Sequence, residues 1–222
     1  MRPRLLTFDI FGTVLDWRRG LRDSLRRHGE ELRDEDFDRV IDCQAGLESE
    51  SFRSYASIVS SSLTRILGIP HATAKSIGAE AGTWPLYPDS REALRRLRRM
   101  APCVATTNSD ASHARQAQGN LGFDLDGWIT AEAVRCYKPD PAFWRHAARK
   151  RSVPFDRSWW HVSAYADYDL ATARRLGLTC VFVGRPHARY GPAHLYVRDL
   201  AELAARVEGE AMARRRVASR RA

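Results

Sequence analysis

From residue 103 onward the chain alternates short apolar runs with amphipathic stretches, and this alternation constrains its architecture most. "CVATTNS" (103–109), "GWITA" (127–131), "WWHVSA" (159–164) and "TCVFVG" (179–184) read as strands. Helical patterns lie between them, near 111–120, at "DPAFWRHAARKR" and at "DLATARRLG", and "VRDLAELAARV" closes the series. Strands separated by helices lie parallel, and helices then cover both faces of the sheet. Residues 4–11, "RLLTFDIF", read as one more buried parallel strand.

Between that first strand and residue 87 the pattern changes. "RGLRDSLRRHG", "DEDFDRVIDCQAGLESES", "FRSYASIVSSSLTRILG" and "HATAKSIGAEAGTW" all carry helical periodicity and little strand signal. "YPDSREALRRLRRM" then opens a helix with Asp89 or Ser90 as its N-cap. The expected architecture is a doubly wound α/β core with an inserted all-helical cap. The core takes residues 1–15 and 87–212, and the cap takes 16–86. A chain of 222 residues has room for one large domain with such an insertion.

The formal net charge is +9. Five arginines and no acid fall in the last ten residues, "ARRRVASRRA", so about +4 is left for the rest, interspersed with acids along helices. Residues 213–222 are expected to form a disordered basic tail, and nucleic acid is not expected as a partner. No apolar stretch approaches 18 residues and no signal peptide is evident, so neither a membrane nor secretion is expected. Cys43, Cys103, Cys136 and Cys180 show no metal-ligand spacing; a reducing, cytoplasmic location is expected.

In an open α/β sheet, chemistry gathers beyond the carboxyl ends of the strands. Four such places carry polar residues. The first strand ends at Asp9, followed by Phe11, Gly12 and Thr13. The second ends at Thr107 and Asn108. "YKPDP" brings Lys138, one of three lysines in a chain that otherwise prefers arginine. "HVSAYADYD" carries Asp167 and Asp169.

In this order the four segments resemble the motifs of the haloacid dehalogenase (HAD) superfamily of hydrolases, with its Rossmann-like core and a cap inserted after the first motif. The resemblance covers nearly the whole chain except the tail. It implies that Asp9 attacks the substrate and forms a covalent aspartyl intermediate. Lys138 would keep Asp9 ionised, and Thr107 and Asn108 would hold the anionic group of the substrate. Asp169 would orient Lys138 or position water.

Phe11 narrows the resemblance. The phosphatases of the superfamily carry a second aspartate two residues after the nucleophile, which protonates the leaving group. Phenylalanine transfers no proton, and a departing halide needs none. The pattern resembles the 2-haloacid dehalogenase branch, and the implied substrate is a small anion. Ala164 stands where a magnesium-binding carboxylate usually lies, so no cofactor is expected. Were magnesium present, as a phosphatase reading requires, Asp9 and Asp169 would be its ligands, with Asp167 a further candidate. The branch also implies a cap arginine that receives the halide. Ile41 and Cys43 fall near that place, and Arg39 and Arg18 are the candidates. Phe11 and Thr13 complete the expected substrate-binding set. Trp144 replaces the branch's tyrosine six residues after the motif lysine.

Two alternatives stay open beside the dehalogenase reading. One is a phosphatase or other hydrolase acting on a specialised metabolite; the cap offers only Lys75 for a phosphonate-cleaving variant. The other is a binding protein without turnover. A homodimer is compatible with every reading.

Overall fold

The computed structural model describes residues 3–219. Six parallel strands form one sheet: β1 (Leu5–Phe8), β2 (Cys103–Thr107), β3 (Gly127–Thr130), β4 (Trp159–Ser163), β5 (Thr179–Val183) and β6 (Leu195–Val197). Their order is β3-β2-β1-β4-β5-β6. The chain winds outward from β1 in both directions, so the order reverses beside β1. In doubly wound sheets ligands bind at that switch point. The register aligns the strand ends there, with Phe8 opposite Ala105 on one side and Val162 on the other.

The helices are α1 (Trp17–Arg27), α2 (Asp34–Glu48), α3 (Tyr55–Leu67), α4 (His71–Ala79), α5 (Ser90–Arg98), α6 (Ala111–Leu121), α7 (Ala131–Val134), α8 (Pro141–Arg151), α9 (Ala171–Arg175) and α10 (Leu200–Ser219). One apolar cluster joins β1 to α5, α6 and α10, and a second joins the other face of the sheet to α8 and α9. β6 was not expected from the sequence; three residues at a sheet edge are too few to show a period. The expected strand over 4–11 shortens to four residues, because the chain turns back on itself directly after Asp9.

The four helices α1–α4 and a short turn of 3-10 helix (Ala81–Thr83) lie between β1 and β2 in sequence and share a third apolar cluster. α1 shows why. Trp17, Leu21 and Leu25 recur every four residues and are buried, and Asp16 caps the helix by accepting from Arg19 N at 3.2 Å. Burying each such side chain contributes about 2 kcal/mol. The chain enters and leaves the insert side by side: Asp16 N donates to Pro85 O at 2.8 Å and Tyr87 N to Val14 O at 3.0 Å. The insert is also clasped by α6. Asp110, at its N-terminus, accepts from Tyr55 N at 2.8 Å and Ala56 N at 3.0 Å, the first turn of α3.

α10 continues as helix to Ser219, which corrects the expectation of disorder from residue 213. Alanine and arginine are good helix formers, and extending an existing helix avoids the cost of nucleation. Residues 220–222 of the expected tail lie outside the described residues. Among the described residues no helix is long and apolar enough to cross a membrane.

Candidate active site

The backbone after β1 makes a tight turn, with Val14 N and Leu15 N both donating to Ile10 O at 2.9 and 2.8 Å. This turn folds Thr13 back under Asp9, so that Thr13 Oγ1 donates to Asp9 Oδ2 at 2.7 Å. Thr13 Oγ1 in turn accepts from Ala164 N at 2.9 Å, which ties β1 to the end of β4. Gly12 has φ +85°, and a Cβ there would fall 2.1 Å from Tyr165 Oη. Only glycine combines that backbone with that close approach.

Lys138 is delivered by Asn108. The Asn108 amide accepts from Lys138 N at 2.7 Å and donates to Lys138 O at 2.9 Å. The lysine then reaches inward, buried, with Nζ 2.9 Å from Asp9 Oδ1 and 2.7 Å from Asp169 Oδ2. Asp169 is placed by one turn of π-helix (Ala166–Leu170), in which Asp169 N and Leu170 N both donate to Tyr165 O at 3.2 Å. Such widened turns recur at functional sites. His161 Nε2 lies 3.1 Å from the same Asp169 oxygen without the alignment of a hydrogen bond. Its Nδ1 meets Thr7 Oγ1 at 3.0 Å.

The electrostatics follow from this geometry. Burial raises the Asp9 carboxyl above its ordinary range, and Lys138 and Thr13 offset this only in part. Burial also opposes ionisation of Asp169, but there Lys138 and His161 prevail and hold it well below the usual range. Burial works against the Lys138 ammonium, and its two carboxylates outweigh that and raise it. The site is a buried cation shared by two carboxylates, of which Asp9 faces a cavity of about 560 Å³.

Asp9, Phe11, Thr107, Asn108, Lys138 and Asp167 line that cavity. Thr13 and Asp169 support Asp9 and Lys138 from below. Phe11 packs in an aromatic wall, its ring centroid 5.2 Å from Tyr55, 6.0 Å from Trp84 and 6.4 Å from His113. Thr107 Oγ1 donates to Ser109 Oγ at 3.1 Å.

The two candidate arginines do not reach the wall. Arg18 lies 4.0 Å over the Phe37 ring, hydrogen-bonds His187 and sits 3.9 Å from Asp38. Arg39 pairs with Asp36 at 2.9 Å on the outer face of α2. Arg189, from the loop after β5, lines the cavity instead, 3.1 Å from Asp42 and 3.7 Å from Asp167. Trp144 is fully buried, its ring 4.4 Å from that of His161. Trp17 is both a packing residue and a cavity residue; its Nε1 donates to Tyr165 Oη at 2.9 Å.

Glu48 has no counterpart among the residues expected from sequence. It ends α2 and its Oε2 accepts from Asn108 Nδ2 at 2.9 Å. Its side chain lines the cavity, and burial pushes its carboxyl up to about 8. The available signal was helical spacing: Ile41, Gln44, Ala45 and Glu48 form one face at i, i+3, i+4 and i+7.

Among the described residues no group of three or more histidines, cysteines or carboxylates is arranged to hold a metal ion. Asp9 and Asp169 already share a cation, and Ala164 offers no third carboxylate. Of the four carboxylate oxygens of Asp9 and Asp169, only Asp169 Oδ1 is buried without a hydrogen-bond partner.

A family model for haloacid dehalogenase-like hydrolases matches residues 3–159. Over 124 residues the sequence is 28% identical to (S)-2-haloacid dehalogenase H-109 of Pseudomonas putida, covering 53% of this chain and 54% of that protein. It is 29% identical to (S)-2-haloacid dehalogenase 4A of Burkholderia cepacia over 124 residues, 53% of each chain. The chain therefore aligns with about half the length of the curated relatives it matches. Among solved structures it resembles the L-2-haloacid dehalogenase PA0810, with a TM-score of 0.81 at 23% identity over 93% of this chain and 99% of that one. The L-2-haloacid dehalogenase of Xanthobacter autotrophicus gives 0.79 at 17% identity, with the same coverage. YfnB of Bacillus subtilis, solved bound to magnesium, gives 0.77 at 14% over 94% and 100%. At these identities the structural likeness speaks to the fold.

Proposed function

The chain belongs to the haloacid dehalogenase-like hydrolases, and on that premise we propose that it hydrolyses a small 2-halocarboxylate through an ester on Asp9. An Asp9 oxygen attacks C2 of the substrate. The carbon–halogen bond breaks and its electron pair leaves with the halide. Water then adds to Cγ of the ester, the 2-hydroxy acid departs, Asp9 is regenerated as carboxylate and a proton passes to solvent. Lys138 keeps Asp9 ionised in a buried place, and Asp169 anchors Lys138. Thr13 holds Asp9 Oδ2 while Lys138 holds Oδ1, which fixes the orientation of the attacking carboxylate.

One observation carries this reading. Asp9 is held by Lys138 and Thr13, while Phe11, two residues on, is packed among Tyr55, Trp84 and His113. A proton donor for an oxygen leaving group is absent from that position; a halide needs none. The names of the curated relatives support the same class and favour the (S) enantiomer. The reaction as proposed uses no metal: Lys138 supplies the cation, paired with one oxygen of Asp9 and one of Asp169.

The phosphate alternative has one observation of its own, the unpartnered Asp169 Oδ1, an oxygen that a magnesium ion could take. Assay of halide and phosphate release on panels of 2-halocarboxylates and phosphoesters decides between them, with Asp9→Asn as control. Halide release lost in Asp9→Asn supports dehalogenation. Phosphate release that needs magnesium overturns it, and ligand binding with neither release makes the protein a binding protein.

A further inference from the structure

The insert offers the cavity one face of α2, and Ile41, Gln44, Ala45 and Glu48 on that face bring no cation. The core group that Glu48 meets is Asn108. A side-chain amide has two N–H donors and one carbonyl acceptor. One donor of Asn108 goes to Lys138 O and the other to Glu48 Oε2, both at 2.9 Å; the carbonyl accepts from Lys138 N. Asn108 therefore has no donor left for a bound anion while Glu48 holds it.

We infer that Glu48 is a proton-operated gate on the anion position beside Asn108. With a proton, Glu48 releases the amide to a small monovalent anion and adds its own hydroxyl as a donor. Without the proton, the Glu48 carboxylate keeps the amide and repels the anion. The inference deepens the dehalogenase reading and rests on it for the identity of the anion, either the carboxylate of the substrate or the departing halide.

The surroundings favour such a switch. Burial raises the Glu48 carboxyl to about 8, while the Asn108 bond and Lys138 pull it down and Asp9 pushes it up. The other titratable groups that act on it are Tyr55 on α3, Tyr137 beside Lys138, and Tyr168 in the π-turn. Burial raises all three tyrosines, and Lys138 is also held above its ordinary value. These four therefore keep their charge state through mildly alkaline pH. Arg135, Asp140, Asp167, Glu50 and Arg189 lie further out on the wall. Asp9 also carries a raised carboxyl, so its ionisation has to be separated from that of Glu48.

Calorimetric titration of the full-length protein with bromide and with propionate, at about pH 6.5 and about pH 9.5, makes that separation when Glu48→Gln is run alongside. The wild type is expected to lose at least about tenfold in affinity for one or both anions at the higher pH. Glu48→Gln is expected to bind equally at both. Loss for bromide places the halide beside Asn108; loss for propionate places the carboxylate there. Wild-type affinity that ignores pH, a loss that persists in Glu48→Gln, or no binding of either anion at the lower pH overturns the gate. Glu48→Ser, which also removes the titrating group, gives the same comparison if the glutamine variant does not fold. Halide release is read separately: gated binding without any release removes the dehalogenase reading and leaves the gate standing.

Discussion

Trp17 Nε1 donates to Tyr165 Oη at 2.9 Å, joining the first helix of the insert to the loop after β4. Both side chains are buried, and Tyr165 Oη also fills the space that Gly12 leaves. Trp17→Phe retains most of the apolar contact and strands the hydroxyl. It should cost about 1–3 kcal/mol in denaturant unfolding. Tyr165→Phe should cost a similar amount, and the double variant less than the sum. Additive losses would mean that the pair does not couple.

Asp9→Asn keeps the shape of the side chain but removes the nucleophile and turns one of its two acceptors into a donor. It should fold and lose about 10⁴-fold or more in kcat. One turnover of the wild type in heavy-oxygen water should place label in Asp9, seen by peptide mass spectrometry. Label found only in the product counts against the ester. Because burial raises the Asp9 carboxyl, turnover should also fall on acidification at a pH above the ordinary carboxylate range.

Lys138→Met should abolish most activity and should also be strongly destabilised, because it leaves Asp9 and Asp169 buried with no cation between them. Removing one partner from a buried ion pair costs about 3–5 kcal/mol. The pH dependence of the Asp169 contribution reverses in a defined way. In the wild type the Asp169 carboxyl lies below its unfolded value, so its contribution is present above that value and is lost as pH falls through the folded one. In the variant both carboxyls lie above their unfolded values, so stability is greatest at low pH and declines as pH rises through the folded ones. Urea midpoints at acid and neutral pH check this. A variant as stable as wild type at neutral pH would show that the lysine is not needed to neutralise the pair.

Chelation tests the absence of a metal step. Turnover of the best substrate should survive EDTA, since Lys138 occupies the position between Asp9 and Asp169 that a divalent ion would share. Loss of activity with EDTA and its rescue by magnesium alone would move the phosphate reading to first place. Phe11→Asp would restore a carboxyl where an alkoxide leaving group needs one, and a gain of phosphate release there would identify Phe11 as the block.

The sequence revealed the core of the site because its pieces sit at strand ends. Asp9, Thr107, Asn108 and Lys138 could be placed at one edge of a parallel sheet from the alternation of strands and helices, and the structure brings them to one cavity. Asp169 was harder to place, since Asp167 lies two residues away. Which of them reaches Lys138 is set by the widened turn, whose hydrogen bonds leave no residue pattern. The arginines were misplaced because nearness to the first motif in sequence says nothing about which face of a helix a residue takes. Asp36 and Arg39 stand at i and i+3, a spacing at which helical side chains meet, and there they pair. Glu48 went unnoticed for the opposite reason. A carboxylate near the end of a polar helix looks solvated until the partner it meets, Asn108, is known.

Ser54 caps α3 from within the insert, but the carboxylate that takes the amides of Tyr55 and Ala56 is that of Asp110 in the core, 55 and 54 residues away along the chain. Loss of the Asp110 acceptor alone costs the start of α3 on the order of 1 kcal/mol. The insert is thus not a portable module. Grafted onto a related core with a different residue at that corner, it would arrive with α3 frayed at Tyr55, the residue that packs on Phe11. Exchange of this segment between relatives would therefore have to carry the first turn of α6 along with it, and the natural unit of recombination is larger than the insert itself.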